Sequence, residues 1–318
     1  MNKILKKLLK SNISFLDIGA LGYTYKPLEL FSELFWYHGF DPTFNKSIKS
    51  KKILQHAKNK WKKYTIHPFA LYDKKSDKKI FNIYNAETNN SFLKSNQILV
   101  DRYSMHKKWS IKKKIEIKTE KLDNLCDSQS DRHFGDVIKI DTQGTELKIL
   151  MGANKVIKNT KFIIAEAAFA NLYDKQNLFS ELEIFLRKNG FSFYCFTELF
   201  YRSKKYLNKL KYLGRERMIY SDAIFIRDPF DKKIIDLNVR DLTVIFICAL
   251  SFQLYDYALE ILKRIDLDLK EKIKIKKFVY HLAKKQFSIA KLKNMNILEY
   301  EKKLAPTKLF SNLNEYIK

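Results

Sequence analysis

Apolar and amphipathic segments alternate along the first 230 residues of the chain. The first apolar run, residues 13–18, has the length of a buried strand and is closed by a glycine, which signals a turn. From Pro27 onward, apolar residues recur at helical spacing, and proline is favoured in the first turn of a helix. A strand, a glycine turn and a helix are therefore predicted in that order.

The same alternation recurs further along the chain. The pattern predicts strands at 13–18, 36–40, 64–72, 111–119, 137–141, 161–168, 191–196 and 220–226, and helices from 27, at 145–156 with a break at Gly152, and at 181–188. Strands that alternate with helices are typical of an α/β fold. We therefore predict a Rossmann-like sheet with helices on both faces.

Only helical periodicity remains after Asp228 and Pro229. We predict two units, a domain over residues 1–230 and a helical C-terminal appendage over residues 231–318. The longest apolar run, residues 244–250, is much shorter than the roughly 20 residues that span a bilayer. It predicts a buried helix and no transmembrane segment.

The net charge of +26 is spread along the chain. Residues 231–318 carry +7 and the remaining residues carry +19, so both parts have nearly the same charge density. A nucleic-acid surface needs clustered basic residues. We therefore do not expect a nucleic-acid partner, and we interpret the basic-aromatic segment 201–211 as a solvated loop. The alternative is an RNA-binding protein or an RNA methyltransferase that uses the basic surface.

The three cysteines, Cys126, Cys195 and Cys248, form no Cys-x-x-Cys pair. Neither a disulfide framework nor a structural zinc site is predicted, and a reducing, cytoplasmic location fits. Residues 1–10 are basic, and their apolar part is too short for a signal peptide. They predict a short amphipathic helix docked on the domain, with weak membrane-surface contact as the alternative.

Residues 138–147 contain the leading site candidate. An apolar strand ends at Asp141, the chain turns through Gly144, and an amphipathic helix begins. Ligands of α/β proteins bind at the carboxyl ends of strands. Glu166 lies near the end of the next predicted strand, so the carboxylates of Asp141 and Glu166 should face one edge of the sheet.

Two carboxylates at such an edge could hold and deprotonate the hydroxyl group of an acceptor. Asp141 and Glu166 could act as base and orienter for the acceptor, or as oxygen ligands of Mg²⁺. The alternative for Glu166 is a structural pair with a lysine. For Glu146, which opens the following helix, it is a cap on that helix.

The cofactor side is marked by two aspartates. Asp17 is followed by a turn that contains Gly19, Ala20 and Gly22. Glycine lets the backbone approach a bound ligand closely. Asp41 follows the second predicted strand, where a nucleotide-type cofactor needs an acceptor for its ribose hydroxyls; the alternative is a turn-forming Asp-Pro.

Methyl transfer is favoured over hydride transfer. The G-x-G-x-x-G turn of dehydrogenases is absent. Asp17 suits a cofactor with a cationic sulfonium and an amino group better than one with a pyrophosphate. No histidine spacing fits a metal site and no G-x-S-x-G element occurs, so zinc hydrolysis and serine acyl transfer lack support.

Segments 15–22, 138–153 and 162–166 together resemble the FkbM-type family of S-adenosylmethionine-dependent methyltransferases. The hallmark of that family is a strand with Asp-x-Gly-Ala, then Lys-Ile-Asp-x-x-Gly-x-Glu and Leu-x-Gly-Ala. The resemblance spans residues 13–228. The first motif is one residue shorter than the usual Asp-x-Gly-Ala-x-x-Gly, which loosens the match around residues 21–23.

The resemblance implies S-adenosylmethionine as the cofactor and hydroxyl acceptors on sugars, glycans or secondary metabolites. It also implies that Asn90 and Ser91 lie near the cofactor site. We therefore predict an O-methyltransferase in which Asp141 and Glu166 are catalytic. A non-catalytic relative that assembles with partners through residues 231–318 is a further alternative.

Overall fold

A computed structural model describes residues 1–20, 25–43, 48–128, 133–204, 206, 216–231 and 237–292. Its strands are, in chain order, β1 (Ile13–Ile18), β2 (Phe35–Phe40), β3 (Lys63–His67), β4 (Ala70–Leu71), β5 (Ser76–Tyr84), β6 (Ile111–Glu120), β7 (Val137–Ile140), β8 (Phe162–Ala168), β9 (Ser192–Arg202) and β10 (Arg217–Ile226). Most of the predicted strands are present, and their ends differ from the predicted ones by a few residues.

Seven strands form the central sheet in the order β3-β2-β1-β7-β8-β10-β9. The neighbouring pairs from β3 to β8 are parallel. The strand β10 is antiparallel to both of its neighbours. Helices cover both faces, which confirms the predicted fold class, and the carboxyl ends of β1, β2 and β7 meet at one edge of the sheet.

A second, smaller sheet has the order β4-β6-β5. The single strand predicted at 64–72 is wrong, because β3 ends at His67 and β4 begins at Ala70 in the other sheet. Pro68 lies between them, and proline has no N–H for a ladder hydrogen bond. The region 111–119 is a strand as predicted, paired with β5 in this second sheet.

The described helices are α1 (Asn2–Leu9), α2 (Ile48–Lys60), α3 (Gln97–Arg102), α4 (His106–Trp109), α5 (Leu122–Ser128), α6 (Glu146–Met151), α7 (Asn154–Asn159), α8 (Phe179–Lys188), α9 (Val239–Ser251), α10 (Tyr255–Arg264) and α11 (Leu269–Leu292). The predicted break at Gly152 is confirmed, since it separates α6 from α7. The helix predicted from Pro27 is a 3-10 helix, Lys26–Leu34, with non-helical dihedrals at Phe31.

The C-terminal helices share a core with the sheet. Residues 244–250 of α9 are all buried, so the prediction of a buried helix is confirmed. They belong to one apolar cluster with Phe15 of β1 and Phe162 of β8. Ile4, Leu5 and Leu9 of α1 join that cluster, as expected for a docked amphipathic helix. Among the described residues, no helix is long and apolar enough to cross a bilayer.

Candidate functional site

A cleft opens at the edge of the sheet where β1, β2 and β7 end. Asp17 is the penultimate residue of β1, Asp41 follows β2, and Asp141 follows β7. Asp41 and Asp141 line the cleft, with Gly19 at the turn between them. The remaining wall is largely apolar and includes Phe40, Phe69, Leu71, Phe81 and Phe92. The second sheet supplies part of this wall, although sequence reasoning assigned it no role in the site.

The turn after β1 brings the backbone of two motifs together. The amide nitrogens of Gly19 and Ala20 both lie 3.1 Å from the carbonyl oxygen of Phe40, to which they donate. Gly19 has a φ of +88°, which side chains other than hydrogen rarely allow. This backbone conformation therefore requires glycine at position 19. The predicted cofactor residue Gly22 lies outside the described residues.

Lys139 lies between the carboxylates of Asp17 and Asp141. It lies opposite Asp17 in the parallel pairing of β1 and β7. Its Nζ lies 3.6 Å from Asp17 Oδ1 and 3.6 Å from Asp141 Oδ2. Burial alone would lower the pKa of Lys139, but the negative charges of Asp141, Asp17, Asp222 and Glu166 raise it above its usual value. Lys139 is therefore a buried ammonium between two carboxylates.

Asp17 is a buried carboxylate that is only partly satisfied. Tyr37 donates its hydroxyl to Asp17 Oδ2 at 2.9 Å. The other oxygen, Oδ1, is buried and has no hydrogen-bond partner among the described residues. Burial raises the pKa of Asp17, while Lys139 and Tyr37 oppose that rise. A cationic ligand group beside Oδ1 would supply the missing partner.

Asp41 forms a turn with Thr43, and its carboxylate also lies at the wall of the cleft. Its Oδ1 accepts from the Thr43 amide at 2.7 Å and from the Thr43 hydroxyl at 2.8 Å, which is an Asx turn. Burial raises its pKa, and the Thr43 hydrogen bonds counteract this. The turn fixes the carboxylate at the wall of the cleft.

Gln143 connects the two predicted catalytic carboxylates. Its Nε2 donates to Asp141 Oδ1 at 2.7 Å and lies 3.4 Å from Glu166 Oε2. Its Oε1 lies 2.9 Å from the Tyr173 hydroxyl, and its carbonyl oxygen accepts from the Ser91 hydroxyl at 2.7 Å. These contacts hold Gln143 at a φ of +58°, which is uncommon for a residue with a Cβ. The structure thus places Asp141 and Glu166 side by side.

Glu146 has a structural role, but it bonds the loop before its helix and does not cap that helix. Its Oε1 accepts from the amides of Thr142 at 2.7 Å and Gly144 at 3.1 Å, so it fixes the loop that carries Asp141. Burial raises the pKa of Glu146 to about 7, although these backbone donors oppose the rise.

A sixth carboxylate, Asp222, lies near Asp141 and Lys139. It pairs with Glu166 in the register of β10 and β8. Burial, followed by the charge of Asp141, raises the pKa of Asp222 to about 6. Burial and the neighbouring carboxylates also raise the pKa of Glu166 well above its usual value. The floor of the site is thus strongly acidic in a chain that is basic overall.

Carboxylate oxygens of Asp141, Glu146 and Glu166 lie within 4.8 Å of one another. Such oxygens are the ligands that Mg²⁺ prefers. Glu146 Oε1 already accepts two backbone hydrogen bonds, and the Asp141 oxygens contact Gln143 and Lys139, so a cation would replace some of these contacts. A divalent cation at this position stays a prediction.

Asn90 and Ser91 lie where the second sheet meets the cleft. Asn90 lines the cleft, and its Oδ1 accepts from the Tyr84 amide at 2.8 Å. Ser91 is fully buried and contacts the backbone of Gln143. Asn90 could therefore contact a cofactor, whereas Ser91 acts on the loop of Asp141.

Sequence reasoning missed several functional residues of the site, namely Tyr37, Gln143 and Asp222, and it treated Lys139 only as part of a resemblance. A polar residue inside an otherwise apolar strand was the available signal for Lys139 and Asp222. No local signal indicated that the Tyr37 hydroxyl reaches Asp17.

The sheet order, with one antiparallel strand, and the acidic cleft at its carboxyl edge define a class: the protein is a Rossmann-like, S-adenosylmethionine-dependent methyltransferase. Residues 17–193, more than half of the chain, match the family model described as the methyltransferase FkbM domain. The chain belongs to this FkbM methyltransferase family, which confirms the family resemblance.

The comparison with solved structures gave two matches. Both are of Sp1610 from Streptococcus pneumoniae, a proposed tRNA methyltransferase. The complex with S-adenosyl-L-methionine is 11% identical, with a TM-score of 0.31, and the match covers 88% of this chain and 98% of that one. The other has 12% identity, a TM-score of 0.30 and coverage of 88% and 97%. This likeness is too weak to indicate an acceptor. No curated protein sequence matches the chain significantly.

Proposed function

We propose that the protein methylates a hydroxyl group on a sugar, a glycan or a secondary metabolite. The observation that carries this proposal is the pair of carboxylates, Asp141 and Glu166, joined by the Gln143 amide next to Asp17. An acceptor hydroxyl needs a base and a fixed orientation, and this pair offers both.

The cleft fits S-adenosylmethionine, which supplies a methyl group on a positively charged sulfur. Asp17 Oδ1, which is buried, lacks a hydrogen bond and lies 3.6 Å from Lys139 Nζ, offers a negative charge to a cationic cofactor. Asp41 offers a carboxylate to the ribose hydroxyls, and the apolar wall around Phe40 suits a purine base. The Gly19–Ala20 turn and Asn90 complete the proposed cofactor contacts.

Asp141 takes the acceptor's proton in the proposed reaction. Bound S-adenosylmethionine would supply the methyl group to the acceptor oxygen, and the proton of the hydroxyl would go to an Asp141 carboxylate oxygen. Glu166 orients the acceptor through a hydrogen bond. A positioned base of this kind contributes about 10²–10⁴-fold to the rate.

The acidic floor supports a neutral acceptor over a nucleic acid. Asp141, Glu166 and Asp222 surround the place where the acceptor would react, with Lys139 as the buried cation between Asp17 and Asp141. A phosphodiester brought to this point would meet the Asp141 carboxylate and be repelled, because charges interact strongly in a poorly solvated site.

Calorimetry against S-adenosylmethionine tests the cofactor side. We expect wild-type protein to bind, and Asp17→Asn to bind about 10- to 100-fold more weakly, as one charged hydrogen bond is lost. Asp77→Asn is the matched control, since Asp77 is an exposed aspartate of β5. Absence of binding by the wild type, or equal affinities for all three proteins, would contradict the proposal.

Methyl transfer from labelled cofactor to monosaccharides, glycans and RNA tests the acceptor side. Asp141→Asn should keep cofactor affinity within about threefold and lose about 10²–10⁴-fold in transfer to a hydroxyl acceptor. Transfer to RNA and to none of the other acceptors would contradict the proposal that the acceptor is a hydroxyl group of a small molecule or a glycan. Loss of transfer on chelation, restored by Mg²⁺, would assign a metal to Asp141 and Glu166.

A further inference from the structure

The last helix, α11, docks through one apolar face. Ile275 and Val279 are each 1% exposed and belong to the core. The Phe278 ring packs edge-on against Phe31, with 6.4 Å between the ring centroids. This face accounts for the attachment of α11 to the rest of the protein.

A second apolar face of α11 points away from the core. Leu269, Ile273 and Tyr280 are 73%, 44% and 56% exposed. At about 3.6 residues per turn these three positions form a single stripe on the far side of the helix from Ile275 and Val279. We call Leu269, Ile273 and Tyr280 the outer stripe. Nothing in the described part of the chain covers it, and the solvent side of a docked helix is normally polar.

Lysines flank the outer stripe. After Glu271 the helix has no acidic residue up to Leu292. The exposed lysines in the first half of α11 are Lys270, Lys274, Lys276 and Lys277. On the helix surface, Lys276 falls on one side of the stripe, and Lys270 and Lys277 fall on the other.

The basic surface extends onto α1. Lys7 Nζ lies 3.8 Å from Glu271 Oε1, so α1 runs beside the first turn of α11. Lys3 and Lys10 of the N-terminal segment are also exposed. Two basic helices therefore lie next to each other, one of them with an exposed apolar stripe.

We propose that the outer stripe and its flanking lysines bind an anionic lipid surface. The apolar side chains would insert at the boundary between headgroups and acyl chains, and the lysines would lie at the headgroups with their aliphatic stems along the apolar layer. Each signal alone gives only weak binding, whereas the two together give stable attachment. This inference is independent of the proposed acceptor.

The composition of the face favours a lipid surface over RNA. Single-stranded nucleic acid is held by aromatic side chains on which bases stack, together with basic residues. The outer stripe has one aromatic residue, Tyr280, and two aliphatic ones, Leu269 and Ile273, which offer insertion but no stacking. Binding to RNA is an outcome that the experiment separates.

Co-sedimentation of the full chain with vesicles tests the proposal. We expect binding to vesicles of phosphatidylcholine with phosphatidylglycerol, weakened by salt, and little binding to phosphatidylcholine alone. Ile273→Gln should weaken binding about tenfold, because one buried aliphatic side chain is lost. The double variant with Lys276→Gln and Lys277→Gln should lose about fivefold for each lysine.

Matched variants on the second sheet separate this face from a general attraction of a basic protein. Ile80 is 51% exposed on β5, and Lys112 and Lys113 are exposed on β6. Ile80→Gln, and Lys112→Gln with Lys113→Gln, should bind vesicles as wild type does. Thermal unfolding and cofactor binding verify that all variants fold.

Three outcomes would overturn the proposal. The wild type does not bind the anionic vesicles, the control variants lose as much binding as the α11 variants, or polyuridylate displaces the protein from vesicles and loses affinity in the same α11 variants. Each can occur whether or not the protein methylates a hydroxyl acceptor.

Discussion

Gly19 lies so close to Asp141 that a Cβ at position 19 would stand 1.9 Å from the Asp141 carbonyl oxygen. The glycine turn after β1 and the loop that carries the proposed base are thus in backbone contact. No side chain fits between them, and Gly19 also has a φ of +88°. The turn after β1 and the loop after β7 therefore hold each other in place.

Gly19→Ala should displace both loops. A positive φ costs roughly 1–2 kcal/mol for a residue with a Cβ, and here backbone must also move. We expect affinity for S-adenosylmethionine, measured by calorimetry, to fall at least about tenfold, which corresponds to roughly 1.4 kcal/mol. Gly190→Ala is the control, because Gly190 has a φ of +82° and its added Cβ would meet the Arg227 guanidinium and no backbone. Gly190→Ala should lower the free energy of unfolding and leave cofactor affinity unchanged. Equal losses of affinity in Gly19→Ala and Gly190→Ala would refute this account.

Lys139→Met should separate folding from cofactor binding. Removal of the buried ammonium leaves Asp17 and Asp141 uncompensated, which costs about 3–5 kcal/mol in the free energy of unfolding. Lys161→Met is matched in chemistry, since Lys161 Nζ lies 3.4 Å from Asp136 and 3.0 Å from Asp241, away from the cleft. Urea unfolding should show a loss for both variants. Calorimetry should show weakened cofactor binding only for Lys139→Met, and weakened binding in both would refute a role for Lys139 at the site.

The sequence predicted the parts of the site that depend on local pattern. Asp17, Asp41 and Asp141 each end an apolar strand, and the carboxyl ends of parallel strands must meet at one edge. Periodicity could not predict the second sheet, because the pairing of β5 with β6 depends on contacts between distant segments. Pro68 was a readable signal that the strand at 64–72 is broken.

The second feature that the sequence could not predict was which side chains contact each other across the fold. Gln143 connects Asp141 with Glu166 only because its backbone adopts a φ of +58°. No residue pattern in this turn predicts a positive φ at Gln143. Asp222 comes to Glu166 because β10 is antiparallel, a property of the sheet order that the local pattern does not contain.

Arg240→Met should weaken the attachment of α9 to the sheet. Arg240 makes a double contact with the fully buried Asp136, at 2.9 Å to Oδ1 and 2.6 Å to Oδ2. The variant lacks the Arg240 guanidinium that faces the buried Asp136 carboxylate. We therefore expect a loss of about 3–5 kcal/mol in the free energy of unfolding, measured with urea. Arg187→Met removes an exposed pair with Glu183 at 2.9 Å and should cost less than about 1 kcal/mol. Similar losses for the two variants would contradict the assignment.

The buried histidine pair should make the protein sensitive to acid. His38 Nδ1 lies 3.3 Å from His67 Nε2, and the His67 ring stacks on Phe40 at 4.4 Å between centroids. Burial lowers the pKa of His67 to about 4, below its usual value in an unfolded chain. The unfolded chain then binds more protons below about pH 6.5, so stability is present at neutral pH and is lost as the pH falls toward 4.

His67→Phe keeps an aromatic ring on Phe40 and removes this proton uptake. The free energy of unfolding of the wild type should fall by about 2 kcal/mol from this group between pH 7 and pH 5, and the variant should lack that part of the decrease. His106→Gln is the control, because His106 is exposed and pairs with Asp101 at 3.3 Å. Its pH dependence should match that of the wild type. Urea unfolding at the two pH values measures all three proteins. An undiminished decrease in His67→Phe would show that protonation of His67 is not what weakens the fold in acid.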